Sequence, residues 1–199
     1  MARSGDVIEN PLMGGRIVFR KTARETRGEL LSFDFFLKPQ KGVARAHYHP
    51  VQQESFQVMK GTMRGHAGGE QRSVRQGERM AVPPGVPHEW WNDSSEEAHL
   101  VVEFRPALHT ETFFETVFGL ARDGKSNSDG LPGPLQMCVM LADYGDEFCP
   151  VGLPSLVRSA VVVGVAPVAK LLGYRSRYPR YTRDWTEEAT RGADPAVHP

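Results

Sequence analysis

Three side chains that commonly bind metals lie close together in one short segment of the chain. His47 and His49 stand two positions apart on a predicted β-strand, and Glu54 follows the turn that Pro50 implies. Because side chains alternate along a strand, the two imidazoles face the same way, with their Cα atoms roughly 7 Å apart. Glu54 lies an odd number of positions beyond His49, so an unbroken strand would point it to the opposite face. The predicted turn must therefore bring its carboxylate back.

A fourth candidate ligand, His88, comes directly after a Pro/Gly turn at residues 83–85. A closed barrel can place this histidine opposite the first pair. Mixed imidazole and carboxylate donors suit Fe(II), Mn(II), Ni(II), Cu(II) or Zn(II), and lack the all-oxygen shell that Ca(II) and Mg(II) prefer. The sequence therefore predicts a site for one divalent transition metal, formed by His47, His49, Glu54 and His88.

The elements that must position these ligands are short strands separated by turn residues, from about residue 16 to residue 106. Residues 29–37 show the pattern most plainly, because Leu31, Phe33, Phe35 and Leu37 alternate with other side chains, as in a half-buried strand. Further strands are predicted over residues 44–49, 54–60, 62–67, 78–82, 89–92 and 99–105. About eight strands can close a small antiparallel β-barrel that leaves room for one ligand.

The pattern becomes helical after Pro106. Thr110 is the predicted cap of an amphipathic helix that Gly124 ends, a second helix is predicted over residues 134–144, and a third begins near Pro154. The third helix carries one apolar stripe, formed by Leu156, Val157, Ala160, Val161, Val165, Val168 and Leu172. Such stripes require burial against the barrel or a partner subunit, so we expect a homodimer. The predicted division is a barrel over residues 1–107, a helical extension over 108–186 and a flexible tail over 187–199.

The two metal-binding segments resemble the paired motifs of the cupin superfamily. The second segment matches G-x5-P-x-G-x2-H-x3-N at every defined position: Gly77, Pro83, Gly85, His88 and Asn92. The first segment has four residues instead of five between Gly42 and His47, and matches the rest of G-x5-H-x-H-x3,4-E-x6-G at His47, His49, Glu54 and Gly61. The resemblance covers about residues 42–92. It implies a mainly β fold, the double-stranded β-helix or jelly-roll barrel, around one metal ion, and the helical extension is similar to that of some bacterial cupin-domain proteins.

Five aromatic side chains are candidates for a substrate pocket beside the metal: Phe33, Phe35, Tyr48, Phe56 and Trp90. Ligand cavities are mostly apolar, and Trp90 shares strand parity with His88. The alternative for each of them is ordinary packing in the barrel. Glu54 is the candidate acid or base, because a metal-bound carboxylate can dissociate and accept a proton.

The predicted ligand set leaves two positions open on a six-coordinate ion, for water, dioxygen or a bidentate substrate. The first hypothesis is therefore a metal-dependent enzyme of the oxygenase type that acts on a small enolic, aromatic or apolar metabolite, which rests on family analogy. A redox-neutral metal enzyme resembling a polyketide cyclase, isomerase or lyase is the alternative, with Zn(II) as Lewis acid. A non-catalytic ligand- or metal-sensing module is a third.

Composition limits the partners. Lysine and arginine number 24, as do aspartate and glutamate, and this balance argues against a protein built to hold nucleic acid. Residues 170–183 mix arginine with tyrosine; this segment is either a contact for anionic lipid or nucleic acid, or an arm packed on the protein. No run of about 20 apolar residues predicts a transmembrane helix. No nucleotide-binding motif or secretion signal is found, and two widely spaced cysteines fit a reducing cytoplasm.

Overall fold

The computed structural model describes residues 2–43 and 45–182, and within them the chain forms two antiparallel sheets followed by helices. The strands are β1 (Val7–Asn10), β2 (Gly15–Lys21), β3 (Leu31–Leu37), β4 (His47–Tyr48), β5 (Gln53–Lys60), β6 (Thr62–Ala67), β7 (Glu70–Arg75), β8 (Arg79–Val82), β9 (His88–Asn92), β10 (Ala98–Arg105) and β11 (Cys149–Pro150). One sheet has the order β1-β2-β3-β10-β5-β8 and the other the order β11-β4-β9-β6-β7. The mainly β, cupin-type fold that the sequence predicts is therefore confirmed.

Alternation along the central strands builds the core between the sheets. On β3 the side chains of Phe33 and Phe35 are buried, and they face Val102 and Leu100 of β10 in the antiparallel register. The core is mostly apolar, and its burial is the main stabilising contribution to the fold. Strands β4 and β9, which carry the predicted ligands His47 and His88, lie in the facing sheet, so their inward side chains point at this aromatic layer.

Three strands differ from the sequence prediction. β7 was not predicted because only Val74 of its six residues is buried, so its sequence carries no apolar alternation. β1 was not predicted for the same reason: it is short, and only Asn10 of its four residues is buried. The strand predicted over residues 44–49 contains only the two residues of β4, because the chain before His47 leaves the ladder of β9.

The helices follow the barrel: α1 (Thr110–Arg122), α2 (Pro134–Asp143), and a continuous helical stretch of α3 (Ser155–Ala160), a π-helical segment (Val161–Val165) and α4 (Ala166–Leu171). Thr110 is the first residue of α1 and not its cap, because His109 occupies the cap position. The Thr110 hydroxyl instead accepts a hydrogen bond from the buried amide of Gln52, at 2.8 Å. The predicted tail over residues 187–199 lies outside the described residues.

The apolar stripe of the third helix is not covered by the barrel. Leu156 is 80% exposed and Leu172 is 67% exposed, whereas Ala166 and Ala169 are buried. The π-helical segment adds residues to a turn and so rotates the stripe that a regular helix would present. Small alanine side chains therefore form the buried contact of α4, and the large aliphatic ones face outward.

Residues 173–182 fold back onto the helices. The Tyr181 ring packs against Gly119 of α1, and its hydroxyl donates to the Asp123 carboxylate at 2.6 Å. Arg180 pairs with the same carboxylate at 3.1 Å. These contacts favour the packed-arm interpretation of the Arg/Tyr segment over a lipid or nucleic acid contact. No helix of the described part of the chain is long and apolar enough to cross a membrane.

Helix α1 buries two carboxyl groups, and one of them should make stability depend on pH. Burial raises the pKa of Glu115 to about 7, and the charge of Glu111 adds to the shift. A carboxyl whose pKa is raised on folding contributes most stability below its unfolded pKa of 4.5, and this contribution is lost as the pH rises to about 7. Glu115→Gln should therefore stabilise the protein by roughly 1–2 kcal/mol at pH 8 and change little at pH 4.5.

Urea unfolding of both proteins at the two pH values measures this difference. The exposed Glu70→Gln substitution is the matched control and should give the wild-type pH dependence. An equal effect of Glu115→Gln at both pH values would contradict the assignment.

Candidate metal centre

Four buried side chains from three strands and one turn converge at one point inside the barrel. One ligand atom from each of His47, His49, Glu54 and His88 lies within 4.8 Å of the other three. His47 of β4 pairs directly with His88 of β9, which sets their two rings side by side. Residues 49–52 turn the chain into β5, and this turn returns the Glu54 carboxylate to the face of the histidines, as the sequence predicts.

Backbone carbonyls orient the three imidazole rings. Nδ1 of His47 donates to the Arg45 carbonyl at 2.8 Å, Nδ1 of His88 to the Val86 carbonyl at 2.9 Å, and Nδ1 of His49 to the Glu147 carbonyl. A carbonyl oxygen can only accept, so each Nδ1 carries a proton. Each Nε2 is therefore directed at the shared centre, which is the arrangement that histidine ligands require.

The Glu54 carboxylate lies between two of these nitrogens. Its Oε2 atom is 3.0 Å from Nε2 of His49 and 2.9 Å from Nε2 of His88. Burial raises the pKa of Glu54, but hydrogen bonds from the two histidines outweigh it and hold the pKa well below its ordinary value. Glu54 is therefore an anion at neutral pH. Its position between the imidazole nitrogens makes the centre attractive to positive charge.

The histidines respond to this environment in different ways. Burial opposes the charged form of His88, but the hydrogen bond to Glu54 raises its pKa above the ordinary value. Burial, together with the charges of His88 and His49, lowers the pKa of His47 to about 3. A neutral His47 keeps a free lone pair on Nε2. The donor set thus fits one divalent cation, which would replace the proton shared with Glu54.

An apolar cavity of about 220 Å³ is lined by three of the four candidate ligands, His47, His49 and Glu54. Four of the five predicted pocket residues line it: Phe33, Phe35, Phe56 and Trp90. The rest of the wall is mostly aliphatic and aromatic. Apolar surroundings of this kind strengthen electrostatic interactions at the centre.

Tyr48 is placed elsewhere. It follows His47 on the same strand, so its side chain points out of the barrel, where its hydroxyl contacts Cys149 and Arg158. Tyr48 does not line the cavity. The alternation that turns both neighbouring histidines inward is the physical reason for this difference.

Residues beyond the barrel complete the cavity, and the sequence did not single them out. The Phe148 ring stacks on His47 with centroids 4.8 Å apart, and Phe113 of α1 stacks on Phe148 at 5.6 Å. β11 holds Phe148 in place by pairing with β4. The helical region therefore covers the candidate metal centre and supplies the carbonyl of Glu147 that orients His49.

Comparisons with known proteins agree with this architecture. The Cupin domain family model matches residues 33–104. The probable oxidoreductase yanE of Aspergillus niger is 27% identical over 160 residues, which cover 73% of this chain and 61% of that protein. The chain thus spans about three fifths of the length of this curated relative.

Two solved structures are also similar. An RmlC-like cupin from Shewanella frigidimarina is 16% identical, with 56% of this chain and 92% of that chain covered, at a TM-score of 0.47. A predicted oxalate decarboxylase from Thermotoga maritima is 16% identical, with 53% of this chain and 98% of that chain covered, at a TM-score of 0.46.

Proposed function

We propose that this chain, which belongs to the cupin superfamily through its residues 33–104, is a divalent-metal-dependent enzyme of the oxygenase type. Its substrate is a small enolic, aromatic or apolar metabolite. The observation that carries the proposal is the convergence of three imidazole nitrogens and one carboxylate oxygen at an apolar cavity. The similarity to a probable oxidoreductase supports the same class.

In this proposal His47, His49 and His88 hold the ion through Nε2, and Glu54 holds it through its carboxylate. A bound transition metal supplies Lewis acidity and, for Fe(II), Mn(II), Ni(II) or Cu(II), redox capacity. The Phe148 and Phe113 rings exclude water and orient a flat substrate. Glu54 is also the candidate acid or base of the proposal, because it is the only carboxylate among the four candidate ligands and is an anion at neutral pH.

Elemental analysis of protein purified without added metal, followed by oxygen uptake with candidate enols and catechols, tests the proposal. We expect Fe, Mn, Ni or Cu near one equivalent, with oxygen consumed only when substrate is present. Zinc at full occupancy without oxygen uptake would exclude the oxygenase class and favour the redox-neutral cyclase, isomerase or lyase. Protein that binds small ligands but catalyses nothing would favour the sensing module.

We also propose that two copies associate through the exposed face of the third helix. Val163 is 78% exposed and Leu171 is 88% exposed on this face. Lys170 turns back to Asp143 of its own subunit at 2.6 Å, and Arg158 turns back towards Tyr48. The outward surface is therefore apolar, and its burial against a second copy is favourable.

Light scattering coupled to size exclusion tests this association. We expect a dimer for the wild-type protein and a monomer for Val163→Asp, because a desolvated carboxylate at the interface costs several kcal/mol. Val7→Asp, on the half-exposed strand β1, is the control and should remain dimeric. A monomeric wild-type protein, or a dimeric Val163→Asp protein, would contradict the proposed contact.

A further inference from the structure

A second cavity, a groove of about 270 Å³, adjoins the cavity at the metal centre. The two share five lining residues: Met13, Val43, Arg45, Trp90 and Leu131. The groove exists because the strand pairing is interrupted there. Gly42 pairs with Trp91 and His47 pairs with His88. Between these two pairs the chain advances by five residues, whereas β9 advances by only three. The groove therefore meets the cavity at the candidate metal centre through these shared residues.

Two residues that line both the groove and the cavity, Trp90 and Arg45, carry hydrogen-bond donors that the protein satisfies weakly or not at all. Trp90 is 4% exposed, and its indole Nε1 atom has no hydrogen-bond partner among the described residues. A buried donor without an acceptor is costly, so the indole N–H is available to an acceptor atom of a ligand. The ligand atom must be an acceptor, such as an oxygen.

Arg45 stands at the same boundary and is weakly held. Its guanidinium lies 3.3 Å from the Asp129 carboxylate, but the two side chains are 82% and 57% exposed. An exposed pair of this kind contributes little stability and can exchange partners. Lys41 adds a second cation to the groove, whereas the Glu89 carboxylate in its lining is engaged by His66 at 3.0 Å.

We propose that this groove binds the carboxylate end of the substrate, with Arg45 replacing Asp129 as its partner and Trp90 donating its indole N–H. The apolar body of the same molecule then fills the inner cavity and reaches the metal centre. This inference rests on the proposed function and names its substrate class: an aromatic or aliphatic carboxylic acid. A planar guanidinium can bind both carboxylate oxygens, so Arg45 is the specificity-determining residue.

Isothermal titration calorimetry with a matched pair of probes, 4-phenylbutanoate and 4-phenylbutanamide, tests the groove. We expect the carboxylate to bind about tenfold more tightly than the amide, because one charge-assisted hydrogen bond contributes about this factor. Arg45→Gln should remove the preference without changing affinity for the amide. Trp90→Phe, which keeps an aromatic ring but removes the N–H, should weaken both probes. Arg64→Gln is the control. Arg64 is a half-exposed residue of β6 that pairs with Asp93, so its loss should preserve the preference for the carboxylate.

The titrations are carried out on the metal-loaded and the chelator-treated protein, with metal content measured in the same samples. A preference that depends on Arg45 in both forms supports the groove. A preference that needs the metal and is unchanged in Arg45→Gln would place the carboxylate on the ion, which overturns the inference and leaves the proposed function intact. Protein that binds no metal but keeps the Arg45-dependent preference would support the groove and contradict the proposed function. Equal affinity for the two probes in every sample would overturn the inference outright.

Discussion

His88→Ala is expected to abolish stoichiometric metal binding. The His88 ring is fully buried, and its Nε2 atom lies 2.9 Å from Oε2 of Glu54, at the centre of the cluster. Alanine would remove one of the four ligand atoms that converge at this point and supply none in its place. Affinity should fall on the order of 100-fold or more, because even indirect partners of metal ligands contribute 10–100-fold. Metal analysis and chelator competition measure the loss.

The surface histidine His66 provides the matched control. It is half-exposed, it contacts Glu89 on the outer face of the barrel, and it takes no part in the cluster. His66→Ala should therefore retain a full equivalent of metal, while His49→Ala should behave like His88→Ala. Circular dichroism establishes that each variant is folded. A full equivalent of metal on folded His49→Ala and His88→Ala proteins would make the four-residue assignment wrong.

The barrel and the convergence of the four candidate ligands could be predicted because both follow from local rules. Alternation along residues 29–37 predicted the inward face of β3, and the same rule oriented His47 and His49 together. The odd spacing to Glu54 required a turn, and residues 49–52 provide it. Gly61, with φ of 89°, makes the turn between β5 and β6. These features depend on the nearest few residues, which is why sequence alone was informative.

The cover over the site could not be predicted, because it depends on contacts between distant parts of the chain. β11 contains two residues, so it has no periodicity, and only its pairing with β4 brings Phe148 onto His47. The Glu147 carbonyl that orients His49 is 98 positions away in sequence. Tyr48 is a different case, since strict alternation already indicated an outward side chain. Tyr48 was predicted to line the pocket because it is aromatic, although its position on the strand places it on the opposite face from His47 and His49.

In the third helix, helical periodicity did not predict which side chains are buried. A regular helix places Leu156, Val165 and Val168 on one stripe, yet all three are exposed. The π-helical segment at Val161–Val165 changes the residues per turn in the middle of the helix, and the sequence pattern contains no signal for it. These side chains are therefore exposed on the same helix as Val163 and Leu171, on which the dimer proposal rests.

Gly65→Ala is expected to destabilise the barrel more than any other single methyl group added near the site. Gly65 of β6 pairs with Trp90 of β9, and a Cβ atom at this position would lie 2.0 Å from the Glu89 carbonyl oxygen and 2.5 Å from the Trp90 ring. The carbonyl belongs to the backbone and cannot rotate away, so the two strands must separate. We expect a loss of about 3 kcal/mol or more in the free energy of unfolding.

The same substitution should weaken metal binding without touching a candidate ligand, because β9 carries His88 two positions from Trp90. Gly164→Ala is the control, since nothing lies within 4 Å of its added Cβ atom, and alanine is favoured in a helix. Urea unfolding and chelator competition measure both effects. A Gly65→Ala protein within about 1 kcal/mol of the wild type in unfolding free energy would contradict the predicted clash, since overpacking against backbone costs more than this. If stability and metal affinity are both lost, the close approach of β6 and β9 at Gly65 is what holds His88 in position.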